Sequence, residues 1–228
     1  MKRILLSLLA GMILLPAMSQ NQYTPEEYQK LKESGTLPPG NHTIVLAPAS
    51  AKNYVPKKQE NREGERGTSC GCYIEPDGTY TVAMAPNDDG STGLINIPFT
   101  FCLYGDNYTS LYINNNGNVS FGAPYGTFSS NPFPDPTYVM VAPFWGDVDT
   151  RNGLGTVVYK IYPNAIYVNW VDVGYFNIHG DKRNTFQLIL TDGTDPLVGL
   201  GNNVGFCYQD MEWTTGDASS GVNGFGGV

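Results

Sequence analysis

Ala165-Ile-Tyr-Val-Asn-Trp-Val-Asp-Val173 decides the fold. Ile166, Val168 and Trp170 point one way and Tyr167, Asn169 and Val171 the other, a period of two. Such a period suits a strand with one face buried and the other partly wet. Working outward, residues 155–162 precede it and residues 184–191 and 203–210 follow it with the same β-type composition. Upstream, residues 79–85, 108–113, 117–121 and 138–145 continue the pattern, separated by Asn, Asp, Gly and Pro clusters. Asn116-Gly117 is a strong hairpin signal and Pro163-Asn164 a weaker one. Nothing after residue 36 has helical spacing. Eight or nine short strands at this spacing predict an all-β, antiparallel sandwich or barrel-like domain.

The N-terminal third has another texture. Lys2 and Arg3, an apolar stretch over residues 4–15, then Pro16, Ala17 and Ser19 have the layout of a secretory signal peptide over 1–19. The apolar stretch falls short of the roughly 20 residues that a membrane span requires. Thr24-Pro25-Glu26-Glu27 reads as a helix start, with Thr24 as N-cap, Pro25 at N1 and Glu27 at N3 completing a capping box. Tyr28 and Leu31 share a face, and Gly35 ends the helix. The charged stretch 57–67 lacks apolar periodicity. Residues 20–68 therefore read as an extension with a short helix and polar linker, and residues 69–228 as the domain.

Charge narrows the partners. From Gln20 to Thr68 seven basic residues face six acidic ones, but from Ser69 onward four face fifteen, thirteen of them Asp. That surface repels phosphate backbones, which excludes nucleic acid. Cys70, Cys72, Cys102 and Cys207 read as two disulfides in an exported chain. A Cys70–Cys72 ring is too tight, so Cys102 and Cys207 are each expected to meet one of the first two. A zinc site from the four thiolates lacks the paired C-x2-C spacing.

Several runs carry a family resemblance. Phe101-Cys-Leu-Tyr-Gly105 and Leu111-Tyr-Ile-Asn-Asn-Asn-Gly-Asn-Val-Ser-Phe-Gly122 are similar to the opening of the nidogen extracellular (NIDO) domain. Val141-Ala-Pro-Phe-Trp-Gly-Asp-Val-Asp-Thr-Arg151 resembles its central segment, and Gly155-Thr-Val-Val-Tyr159, Asn184-Thr-Phe-Gln187 and residues 203–216 follow in the family's order. The likeness covers roughly residues 88–228, while Cys102 and Cys207 depart from the plain pattern. It implies a secreted module for cell–matrix or cell-surface adhesion, with an extracellular matrix or cell-surface protein or glycan as partner. Signal peptide, linker and core together also look similar to exported bacterial surface proteins. On that reading the chain, which stops at Gly226-Gly-Val228, is expected to be cut short.

Chemistry concentrates in few places. Asp147 and Asp149 could share a calcium ion, yet Arg151 stands where an EF-hand loop wants an oxygen, and both acids read first as turn-holders. Asp88-Asp89-Gly90 invites the same two readings. Asn115 and Asn116 could face a polar or sugar partner, although a hairpin needs Asn and Gly there anyway. Trp145 and Trp213, beside Asp-rich turns, are the candidates for stacking on sugar rings, and Trp170 belongs in the core. Catalytic readings have little support: the histidines are His42 and His179, and no Gly-x-Ser-x-Gly elbow accompanies them. A glycosidase would need two carboxylates with split pKa values, and although Asp147 with Glu212 could be such a pair, nothing in the sequence selects them. No cofactor is expected beyond a calcium ion. Asn-x-Ser/Thr sites occur at Asn41, Asn107 and Asn118.

Overall fold

The computed structural model describes residues 23–38, 42, 44–45, 52–56, 71–133 and 137–227. The expected signal peptide, the charged stretch and Cys70 lie outside them. Helix α1 spans Pro25–Glu33. Strands β1 (Ile44–Val45), β2 (Thr81–Val82), β3 (Gly90–Ser91), β4 (Ile95–Leu103), β5 (Asp106–Asn114), β6 (Asn118–Phe121), β7 (Val139–Val141), β8 (Val148–Asp149), β9 (Thr156–Ile161), β10 (Ala165–Tyr175), β11 (His179–Thr191) and β12 (Val204–Met211) follow. They form two sheets, one ordered β1-β3-β5-β6-β7 with β4 on β5, the other β12-β11-β10-β9-β2 with β8 on β10. All pairs are antiparallel except the two-residue ladder of β1 on β3. The all-β expectation holds, and the architecture is a sandwich.

The alternation in β10 builds the interior. Ile166, Val168 and Trp170 lie opposite Leu190, Leu188 and Phe186 of β11. From the first sheet Phe99, Phe101, Leu111, Ile113, Val119 and Phe121 join them in one buried cluster. Each such side chain, fully buried, contributes roughly 1.5–3 kcal/mol of transfer free energy. Strand β4 went unseen in the sequence because Pro98 sits inside it. Its only ladder among the described residues is with β5, with a register irregularity between Asn96 and Phe101, and an edge strand tolerates proline.

The other face of β10 is drier than a half-wet sheet would be. Tyr167 packs with Tyr80, Val158, Ile189 and Cys207 in a second buried cluster, with Cys72 and Tyr73 against it. The polar pair on this face is satisfied by main chain: Asn169 and Gln187 donate to the Ile74 carbonyl at 3.0 and 3.1 Å. Cys72 forms a disulfide with Cys207 across 135 residues of chain, with Cα atoms 5.7 Å apart. One expected pairing for Cys207 is thus present. Cys102 is exposed and makes no disulfide among the described residues.

Candidate functional site

Three loops and α1 converge on a buried acidic centre. The first loop, 87–90, is held by Asn87, whose Oδ1 accepts the Gly90 N–H at 2.7 Å, while Thr150 binds the Asn87 main chain from the other side. With the turn secured by Asn87, the carboxylates of Asp88 and Asp89 are left to point at other partners. The second loop is the β5–β6 hairpin. Gly117 is required there at φ +83, because a Cβ would run into the Phe144 carbonyl. Asn115 Nδ2 donates to the carbonyls of Asp88 and Val148. Asn116 Oδ1 accepts the Val148 N–H at 3.0 Å, and its Nδ2 donates to Asp89 Oδ1 at 2.7 Å. The third loop supplies Asp147 and Asp149 on either side of Val148.

The helix completes the centre. The capping box expected at Thr24 and Glu27 is formed, and Gly35 lies just past the C-cap in the left-handed region. One turn apart on the inner face, Tyr28 and Lys32 reach the loops. The Tyr28 hydroxyl donates to Asp89 Oδ2 at 2.6 Å. Lys32 Nζ donates to Asp88 Oδ2 at 2.8 Å, and to Asp89 Oδ2 and Asp147 Oδ1 at 2.7 Å each. The faces of Phe128 and Phe176 lie 4.3 and 4.2 Å from the same ammonium. Lys32 is 2% exposed, and lysine is almost never so buried unless paired.

Arg151 takes the fourth carboxylate. Its Nη2 and Nε donate to Asp149 at 2.5 and 2.9 Å, and Asp149 also accepts the main-chain N–H of Arg151 and of Ile178. Asp149 is therefore a turn-holder tied to arginine, and Asp147 turns away to Lys32. Among the described residues, the carboxylates grouped closely enough for a shared ion are Asp88, Asp89 and Asp147.

One ammonium against three carboxylates leaves charge unbalanced. Burial, then the neighbouring Asp89, raise Asp88 well above the ordinary carboxylate range, with Lys32 opposing. Burial pushes Asp147 up to about 7 against the pull of Lys32. For Lys32 burial favours the neutral amine, but Asp147, Asp88 and Asp89 outweigh it and its pKa rises. Asp88 Oδ1, Asp147 Oδ2 and Asn115 Oδ1 are buried and accept no hydrogen bond.

Three surface candidates are corrected. Asn115 and Asn116 are fully buried and knit the loops together, so they face no partner. Trp213 is fully buried too: its Nε1 donates to the Val173 carbonyl at 3.1 Å and its ring meets Phe144 edge-on at 5.0 Å. Trp145 alone stays half-exposed, its Nε1 on the Thr127 carbonyl at 2.8 Å, among Tyr125, Phe133 and Tyr138. The glycosidase pair is split by environment. Asp147 is buried under Lys32, whereas Glu212 is exposed and accepts the Arg183 N–H at 2.6 Å. Sequence reasoning missed Lys32 altogether; its one trace was the four-residue spacing from Tyr28.

The chain is thus a disulfide-linked β-sandwich with an internally paired acidic centre. Residues 67–227 match the family model described as NIDO related, and the chain belongs to that family. It is similar to alpha-tectorin of Gallus gallus, 32% identical over 62% of this chain and 8% of the relative. Nidogen of Drosophila melanogaster is 25% identical over 64% of the chain and 13% of the relative. Nidogen-1 of Mus musculus is 42% identical over 36% of the chain and 9% of the relative. The chain thus spans about a tenth of the length of these curated relatives. These are animal proteins, and the expected likeness to bacterial surface proteins finds no support among them. No solved structure matches. Among the described residues no helix is long and apolar enough to cross a membrane.

Proposed function

We propose that this chain is an extracellular, matrix-associated interaction module that works by adhesion and not by catalysis. The family match over residues 67–227 carries the reading, because the matched relatives bear nidogen and tectorin names. The Cys72–Cys207 disulfide supports an oxidising compartment. The acids that could have served chemistry are engaged: Asp149 by Arg151, and Asp88, Asp89 and Asp147 by Lys32. In this reading the partner is a matrix or cell-surface protein.

A second reading, glycan binding, has one observation in its favour. Tyr125, Phe133, Tyr138 and Trp145 form a run of ring contacts, and Phe133 is 53% exposed. Aromatic faces of this kind suit the apolar faces of sugar rings. Surfaces coated with residues 20–228 should retain components of a solubilised matrix, with retention falling for Trp145→Ala. Retention equal to that of an inert coat would end the adhesion reading. Capture of a glycosidase-treated matrix at full strength would remove the glycan one.

A further inference from the structure

We propose that Asp88, Asp89 and Asp147 form a calcium-binding site in which the Lys32 ammonium is a built-in competitor, so that the ion and helix α1 exclude one another. The site already holds a cation, the ammonium, on three carboxylates from two loops. Calcium at the same point requires oxygens at about 2.3–2.6 Å. The present contacts of 2.7–2.8 Å need to contract by only a few tenths of an ångström. One oxygen from each acid already lies within 4.8 Å of the others. Magnesium, held at about 2.0–2.1 Å in a strict octahedron, fits the same spacing worse.

Separate from the clustering itself, two carboxylate oxygens lack partners. Asp88 Oδ1 and Asp147 Oδ2 are buried without a donor, on side chains 8% and 0% exposed. Such orphans are costly unless a ligand meets them, and a divalent ion would let both acids coordinate through two oxygens. Charge points the same way: with all three acids ionised the ammonium leaves the cluster at −2, and exchange for a divalent ion halves that. An entry path exists, since a cleft of about 430 Å³ between the helix and loop 87–90 is lined by Tyr28, Gln29, Asp88, Asp89 and Arg151.

The test is calcium titration of the full chain by calorimetry. Lys32→Met, which keeps length without charge, should bind calcium at least about tenfold more tightly than the unaltered chain, in the millimolar range of extracellular modules or below it, about 1 mM. Adding Asp147→Asn to Lys32→Met should undo that gain. A folded Lys32→Met chain that binds calcium no better than the unaltered one overturns the proposal. If Lys32→Met does not fold, hydrogen exchange in the unaltered chain decides. Calcium at about 10 mM should speed exchange across α1, and unchanged exchange overturns the proposal equally. None of this depends on the adhesion reading, which the coated-surface assay tests by itself.

Discussion

Helix α1 and the segment 71–80 are fastened to the sandwich by opposite chemistry. Residues 71–80 cover the outer face of the second sheet through a disulfide, two side-chain amides on the Ile74 carbonyl, and the buried Tyr80. Helix α1 is fastened to the loops by one ammonium and one phenol on carboxylates. The first fastening is covalent and neutral, and its two side-chain amides are paired to the Ile74 carbonyl. The second is ionic, and its acids outnumber the base. Protons and metal ions should therefore act on the helix and leave the strap alone, although both lie on the same side of the chain.

The largest expected effect breaks the strap. Closing 135 residues of chain, the Cys72–Cys207 bond limits the unfolded ensemble strongly. Cys72→Ser with Cys207→Ser should cost about 4 kcal/mol in urea unfolding. A loss under about 1 kcal/mol would show that the amides, and not the bond, hold the strap. Next comes Asn115→Ala. It strips donors from two buried carbonyls, those of Asp88 and Val148, and should cost about 3 kcal/mol. The matched change on the strap, Asn169→Ala, should cost only about 1 kcal/mol, because Gln187 still reaches Ile74. Equal losses at the two sites would erase the distinction between a shared and an unshared donor.

Much of the sandwich was legible, and the reasons are local. Alternation in 165–173, the Asn116-Gly117 turn and the Thr24 capping box are each specified by neighbours in sequence. What escaped reading depended on distant groups. Pro98 argues against a strand unless the edge position of β4 is known. Trp213 beside polar residues looks exposed until Phe144 and Tyr175 are brought around it. A lysine in a charged helix reads as solvated, and only the folded loops, 56 to 115 residues away, convert Lys32 into the centre of a cage. The Asp147–Asp149 spacing suggested a shared ion, but the grouping joins Asp147 to Asp88 and Asp89 instead.

A smaller effect separates the two fastenings by pH. Asp147 sits at about 7 in the folded chain, and an unfolded aspartate is near 3.9. Between those values the folded state holds a proton that the unfolded state has released, so stability falls as pH rises through that window and levels off above it. The slope for one such proton is about 1.4 kcal/mol per pH unit. Urea midpoints should accordingly be higher at pH 5 than at pH 7. Asp147→Asn should flatten that difference, and the serine double variant of the strap should keep it. A slope untouched by Asp147→Asn would mean that the acidic centre is not where the proton goes.

The smallest effect tests whether α1 moves as a unit. Thr24 Oγ1 accepts the Glu27 N–H at 3.2 Å, and the Glu27 carboxylate accepts the Thr24 N–H at 3.0 Å. Both groups are exposed, and the helix they start touches the sandwich mainly through Tyr28, Gln29 and Lys32. Thr24→Ala should therefore leave the global urea midpoint nearly unchanged while speeding amide exchange across α1 about fivefold. Exchange that quickens only at the first turn would show that Lys32 pins the rest of the helix independently of its cap. Exchange that quickens along the whole helix would show the ammonium and the cap acting on a single docking equilibrium, the same equilibrium that protons and calcium are expected to shift.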